Sequence, residues 1–397
     1  MKPQEFSAQA SGQIRRIPSG YFAFIPDRLP PSITWSLPLV QALAHAERAL
    51  GELAGRGRAM SNPYLLVMPF LRQEAVLSSR IEGTQATLTD LLAYEAVQLS
   101  LRSQTGPTDV REVHNYVVAL EYGLERLNSF PISLRLMREL HARLMEGTRG
   151  QERTPGEFRL TQNWIGSAGA TLQNATFVPP PVDEMHESLG HLEKFIHEPT
   201  DLPSLVRIGM IHYQFEAIHP FLDGNGRVGR LLITLQLCSW ELLPQPLLYL
   251  SAYFERHRQE YYDRLLGVSR RGEWVEWLIF FLGAVADQAR DSVARINRLM
   301  ALQDKIHFQL QTQARVTVGL LQTVDLLFSQ PVMTINQAAD RLKISYHSAS
   351  RNMATLERTG FIRELTGQAR NRVYIADQIL EAIESPIEED KDAIRPI

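Results

Sequence analysis

Residues 219–230 read His-Pro-Phe-Leu-Asp-Gly-Asn-Gly-Arg-Val-Gly-Arg. Gly224, Gly226 and Gly229 bracket the expected start of a helix. Glycines let a backbone approach an anion closely, and a first helical turn adds unpaired N–H donors and a favourable dipole. Together they make a phosphate seat. Arg227 and Arg230 are three apart and share a helical face, where two guanidiniums suit the outer phosphates of a nucleotide. Asp223 stands just before the glycines. A carboxylate beside a pyrophosphate can hold Mg²⁺, which keeps water and phosphate oxygens as its other ligands. His219 lies four residues earlier, at the end of the preceding helix, where a histidine can deprotonate an incoming hydroxyl. Phe221 reads as a core anchor. No serine or cysteine is placed as a covalent nucleophile, so direct transfer from a nucleotide to an acceptor is the simpler chemistry.

His219, Phe221, Asp223, Gly224, Asn225, Gly226, Arg227 and Arg230 match, without a gap, the pattern His-x-Phe-x-Asp/Glu-Gly-Asn-Gly-Arg-x-x-Arg. The segment resembles the signature of the Fic (Fic/Doc) family. The resemblance implies transfer of AMP from ATP to a hydroxyl side chain of a target protein, with pyrophosphate released. It implies His219 as base and Asp223 as the Mg²⁺ ligand. Asn225 and the backbone of Gly224, Gly226 and Gly229 would bind the α- and β-phosphates, with Arg227 and Val228 in the same ATP-binding turn and Arg230 on the γ-phosphate. A phosphorylating branch of the family carries lysine where this chain has Gly226, which favours adenylylation.

A second segment is similar to the family. Ser78-x-x-x-Glu82-Gly83 resembles its inhibitory motif, placed N-terminal to the core as in one regulatory class. A carboxylate paired with Arg230 would occupy the γ-phosphate site. The resemblance also implies that residues 163–178 form a flap docking an extended target strand by backbone pairing. It places an aromatic against the adenine, for which Tyr261 is chosen over Tyr262. Ser269 stands where other members carry asparagine. Trp274, Trp277 and His212 read as core. Self-modification and homodimerisation stay open.

Holding such a loop requires helices on both sides. Helical spacing begins near Pro38 and recurs over 64–82, Arg111–Leu127, Leu134–Glu146, Val182–His197, Leu202–Ala217, Arg227–Leu243, Ser251–Gly267 and Trp274–Leu299. Residues 1–36 read as loop, with Pro26, Pro30 and Pro31 interrupting regular structure. The glycine- and proline-rich stretch 148–182 reads as a loop with a short β-hairpin near 163–178. The expected fold is mostly α: an N-terminal extension (1–110) with an inhibitory helix at about 64–83, a helical Fic core (111–300), a linker (301–315), a winged helix (316–376) and a helix end with tail (377–397). The resemblance covers roughly residues 20–300.

In the C-terminal module, Thr334 and Ser345 are placed to cap successive helices, and Phe361–Leu365 and Arg372–Ile375 alternate as strands of a wing. Tyr346, His347, Ser350, Arg351, Asn352 and Arg358 lie on the candidate recognition helix, with Arg363, Arg370 and Arg372 on the wing. DNA and protein are equally weighted as partners. A rival reading is a DNA-binding regulator whose Fic core only senses nucleotide. Another keeps the enzyme with a different donor, or has it remove AMP.

The chain has 397 residues, 44% hydrophobic, with a formal net charge of −3. Near-balanced charge gives no global attraction to nucleic acid or membrane. A single cysteine, Cys238, fits a reducing cytoplasm and reads as a small core residue. No signal peptide or membrane span is read, so a soluble, cytoplasmic protein is expected.

Overall fold

The computed structural model describes residues 1–59, 64–101, 108–150, 152–167, 169–313, 316–367 and 371–385. Residues 1–36 are not simply loop. Strands β1 (Gly12–Arg16) and β2 (Phe22–Pro26) pair antiparallel, with Gly12 opposite Pro26 and Arg16 opposite Phe22. Pro26 is tolerated because it ends its strand. Phe24 is fully buried, and its N–H donates to Val178 O at 2.9 Å, tying the hairpin to the far end of the expected flap.

Helices α1 (Leu37–Ala59), α2 (Tyr64–Ile81), α3 (Leu88–Leu101), α4 (Thr108–Leu127) and α5 (Leu134–Leu144) follow. Gly83 takes a φ of +97° just beyond α2, the stop that its position suggested. Thr87 and Asp90 bond reciprocally at the start of α3, and the Ser133 side chain accepts from Leu136 N at the start of α5. Between α5 and α6 (Val182–His197) the chain is irregular. The expected flap hairpin reduces to one antiparallel bridge, Ile165 with Phe177. Gly166, Gly169 and the Pro179–Pro181 run leave no alternation to extend a ladder.

The central helices are α7 (Ser204–Ile218) and α8 (Asn225–Ser239), which pack on each other. Nearly every α7 side chain is buried, because α6, α8, α10 and α11 cover different faces. The single helix expected over Ser251–Gly267 is two, α9 (Ser251–Arg256) and α10 (Arg258–Arg271), divided at His257. Residues 274–313 form one helix, α11, which runs through most of the segment read as a connecting helix or linker. Along its length α1 lies packed, burying Leu39, Ala46, Leu50 and Leu53. Trp274 and Trp277 are core, as expected, and the indole of Trp277 donates to Gly209 O.

After α11 come α12 (Val318–Ser329), β3 (Val332–Thr334), α13 (Ile335–Leu342), α14 (Tyr346–Arg358), β4 (Arg363–Glu364), β5 (Val373–Ile375) and α15 (Asp377–Glu384). The strands form a sheet of order β3-β5-β4, one strand more than expected. Thr334 and Gln337 make a reciprocal capping box, and Ser345 caps α14. Asn352 does not face outward: its amide donates to Gly319 O and Thr323 Oγ1, both at 3.0 Å. Arg370 and the acidic residues at 388–392 lie outside the described residues. Elements of this module cover α2 and α3: α12 and α15 pack on α2, while β3, β5 and α13 pack on α3. Among the described residues, no helix is long and apolar enough to cross a membrane.

Candidate active site

The loop between α7 and α8 is held from within, from α5 and from the segment before α6. His219 ends α7 in the left-handed region, with φ of +48°, and Gly224 precedes α8 at +75°. Asn225 folds the loop onto itself, its Oδ1 accepting from Phe221 N and its Nδ2 donating to Phe221 O, both at 2.8 Å. Its amide, expected beside the phosphates, is therefore committed to the loop. Phe221 is fully buried and stacks on His141 of α5, ring centres 3.9 Å apart. His141 Nδ1 accepts from Gly156 N at 2.8 Å, which puts the ring proton on Nε2, facing Asp223 O at 3.1 Å. Burial lowers His141 to about 4, so the ring is neutral.

From the segment before α6, the fully buried Arg159 donates to His219 O through Nε at 3.1 Å and to Pro180 O through Nη2 at 2.5 Å. Asn163 Nδ2 donates to His219 O at 3.1 Å and Phe221 O at 2.8 Å. These groups satisfy carbonyls that a helix end leaves open. None of His141, Arg159 and Asn163 belongs to the motif. Only burial of a polar side chain within a fold marks them.

With the loop fixed, the His219 Nδ1 faces Glu216 O at 3.3 Å, where it donates. Nε2 then keeps its lone pair. Burial lowers His219 to about 4, against the pull of the Glu216 carbonyl and Glu82, so the imidazole is a neutral base at pH 7. The side chain of Asp223 is 38% exposed, accepts from Gly224 N at 2.7 Å, and lies 3.7 Å from Arg227 Nη2 and 3.6 Å from Arg153 Nη1. Among the described residues no cluster of three His, Cys, Asp or Glu could hold a metal. A lone, solvent-facing carboxylate fits Mg²⁺ carried in by phosphates better than a protein-caged ion. Arg227 is 4% exposed, and its Nε and Nη1 have no hydrogen-bond partner among the described residues, although Nη1 lies 3.7 Å from Glu112 Oε2. Buried guanidinium donors left open in this way call for acceptor oxygens.

Arg230 is 2% exposed and bonded through two of its nitrogens. Its Nη2 donates to Glu82 Oε1 at 2.6 Å and Ser78 O at 3.0 Å, and its Nε donates to Ser78 Oγ at 2.8 Å. Burial alone would raise the Glu82 carboxyl, but Arg230, with Arg227 and His219, holds it below the usual glutamate value. A Cβ on Gly226 would collide with Glu82 Oε1, so the carboxylate lies directly over the first turn of α8. A Cβ on Gly229 would likewise collide with Glu216 Oε1, a buried oxygen with no hydrogen-bond partner among the described residues. Burial, reinforced by Glu82 and opposed by Arg230, raises Glu216 to about 7.

Residues 40–125 match the Fic/DOC family N-terminal domain, and residues 131–237 match the Fic/DOC family domain. Residues 40–237 thus carry the two domains of the Fic/DOC family. It is 29% identical over 220 residues to "Protein adenylyltransferase Fic" of Culex quinquefasciatus, covering 53% of this chain and 38% of that protein. It is 29% identical over 135 residues to "Protein adenylyltransferase fic-1" of Caenorhabditis elegans, covering 32% and 24%. The chain thus spans well under half the length of these curated relatives. A Fic family protein from Desulfovibrio desulfuricans G20 shares the fold, with a TM-score of 0.55 at 21% identity, over 88% of this chain and 98% of that one.

Within the Fic fold, Tyr261 is not where the sequence reading put it. It is 1% exposed, stacks on Phe254 and bonds through its hydroxyl to His212 Nε2 at 2.8 Å. Tyr262 is 40% exposed, with Arg258 over its ring. His212 is the satisfied core histidine expected: Nδ1 meets Gly229 O at 3.3 Å, and burial lowers it to about 3. Ser269 bonds Tyr213 and is 3% exposed. Cys238 is partly buried, and burial pushes its thiol up to about 12.

Proposed function

We propose that this chain is a protein adenylyltransferase held off by its own Glu82. The observation that carries the reading is the place of that carboxylate, bonded to Arg230 and lying over the first turn of α8. The site is built for an anion, and an internal anion sits in it. The relatives' name, protein adenylyltransferase, fits the chemistry of the parts around it.

When Glu82 withdraws, Arg230 is freed for the γ-phosphate of ATP. The open donors of Arg227 and the first-turn backbone at Gly224 and Gly226 would take the inner phosphates. Asp223 would hold Mg²⁺, which neutralises phosphate charge when bound. A target hydroxyl reaches His219, whose Nε2 accepts its proton. The hydroxyl oxygen forms a bond to the α-phosphorus, and the bond from that phosphorus to the pyrophosphate oxygen breaks. AMP remains on the target and pyrophosphate leaves. The stretch 163–178 docks the target strand; its exposed Trp164 and Ile165 offer an apolar grip beside the Ile165–Phe177 bridge. Tyr262, rather than Tyr261, is the aromatic available to the base.

Incubation of Glu82→Gly with labelled ATP, GTP, CTP and UTP and a cell lysate tests the reading. AMP transfer to protein, lost in His219→Ala, is expected. Nucleotide binding without transfer would instead favour a nucleotide-sensing core.

A further inference from the structure

Glu74, Ser78 and Glu82 are spaced by four residues and lie along one face of α2 and its C-terminal turn. Ser78 and Glu82 hold Arg230; Glu74 does not touch it. Glu74 is 4% exposed and is gripped elsewhere. Its Oε1 accepts from Ser251 Oγ at 2.5 Å and from the Tyr116 hydroxyl at 3.1 Å, and its Oε2 accepts from Ser251 N at 3.1 Å. Ser251 and Tyr116 are both fully buried, the one opening α9 and the other midway along α4. One carboxyl thus joins α2, α4 and α9.

A buried carboxyl is a costly way to fill space, and apolar side chains would pack there at less cost. What it adds is direction. The outer face of α2 lies against α12 and α15. Apolar packing there is non-directional and allows a helix to slide or turn. Hydrogen bonds from two other helices fix both rotation and height. Glu82 needs that precision, because it must meet Arg230 at 2.6 Å from a point just beyond the end of α2.

We propose that Glu74 is the positioning residue of the inhibitory segment: docked on Tyr116 and Ser251, it sets the register of α2 that puts Ser78 and Glu82 on Arg230. The proposal rests on reading Glu82 as an inhibitor. The Glu74 cluster is then the point through which α4 or α9 can loosen the brake.

The test is AMP transfer from labelled ATP by the full chain as wild type, Glu74→Ala, Glu82→Gly and the double variant, with circular dichroism to confirm folding. Glu74→Ala should raise labelling about 5- to 30-fold with Glu82 intact, the range expected when a constraint of this size is lost. The double variant should gain nothing over Glu82→Gly, since Glu74 acts through Glu82. A residue that merely supports the fold would lower activity in both backgrounds. A folded Glu74→Ala with labelling at or below wild type overturns the proposal, provided Glu82→Gly is activated. If Glu82→Gly is not activated, the inhibitory reading falls first and this proposal with it. Should Glu74→Ala fail to fold, Tyr116→Phe and Ser251→Ala decide in the same way: a rise supports the lock, and unchanged labelling in both overturns it.

Discussion

Glu82 and Arg230 meet at 2.6 Å, one at the end of α2 and the other on the second turn of α8, 148 positions later in the chain. Arg230 is buried, while about a third of the Glu82 side chain meets solvent. A bond to a charged buried group is worth about 1.5–3 kcal/mol. Solvent screening discounts that figure. Glu82→Gly should therefore raise AMP transfer about 10-fold or more and tighten nucleotide binding in parallel. Titration calorimetry with a non-hydrolysable ATP analogue checks the second half. Unchanged affinity would mean that Glu82 does not compete for the phosphate site.

His219 should act as a base well into acid. Burial lowers it to about 4, and an acceptor of protons works only above its own pKa. In the Glu82→Gly background, kcat should stay level from pH 8 down to about 6, where an ordinary histidine would already be losing activity near 6.5. His219→Ala should cost about 10²- to 10⁴-fold at any pH in that range. A half-maximal rate near 6.5 would show that the base is solvated during turnover.

The motif was legible because its chemistry is contiguous: twelve residues hold base, carboxylate, glycines and guanidiniums. The contact of Glu82 with Arg230 was legible through the resemblance of Ser78-x-x-x-Glu82-Gly83 to the family's inhibitory motif, taken with the core signature. Tyr261 was expected against the adenine and lies in the core, while Tyr262 is exposed: one step along a helix turns a side chain by about 100°. Arg159, Asn163, His141 and Glu74 could not be found in the same way. Their partners lie 15 to 177 positions distant and share no periodicity with them. The break at His257 and the unbroken α11 were hidden for a related reason. Polar composition near residue 300 marks where α11 reaches solvent, not where it stops.

Asn163 and Arg159 should govern turnover rather than nucleotide affinity. Both donate to His219 O, which the left-handed backbone leaves without a helical partner. Asn163→Ala keeps the phosphate seat and loosens the base. Small misplacements of a catalytic group cost about 10²-fold, so kcat of Glu82→Gly/Asn163→Ala should fall by about that order while the dissociation constant for the ATP analogue holds. Arg159→Ala should also lose fold stability, because it strands the Pro180 carbonyl and leaves His219 O with Asn163 alone. A parallel loss of nucleotide affinity in Asn163→Ala would show that the loop and the seat are one unit.

Glu74 should make stability fall as pH rises. A free glutamate titrates near 4.5; burial, opposed by its bonds to Ser251 and Tyr116 and by the charge of Arg230, raises Glu74 to about 7. Between those values the folded state holds the proton more tightly than the unfolded state does. The contribution is therefore fully present below pH 4.5 and is lost as pH rises through 7. From pH 5 to pH 8 the loss is on the order of 2–3 kcal/mol. Glu74→Gln stays neutral and removes this dependence. The stability of wild type relative to Glu74→Gln, read by urea unfolding, should decline across that interval. Glu216 and the buried histidines, common to both proteins, cancel in the comparison. A constant difference from pH 5 to 8 would show that the Glu74 carboxyl titrates near its ordinary value, with water reaching the cluster that α4 and α9 enclose.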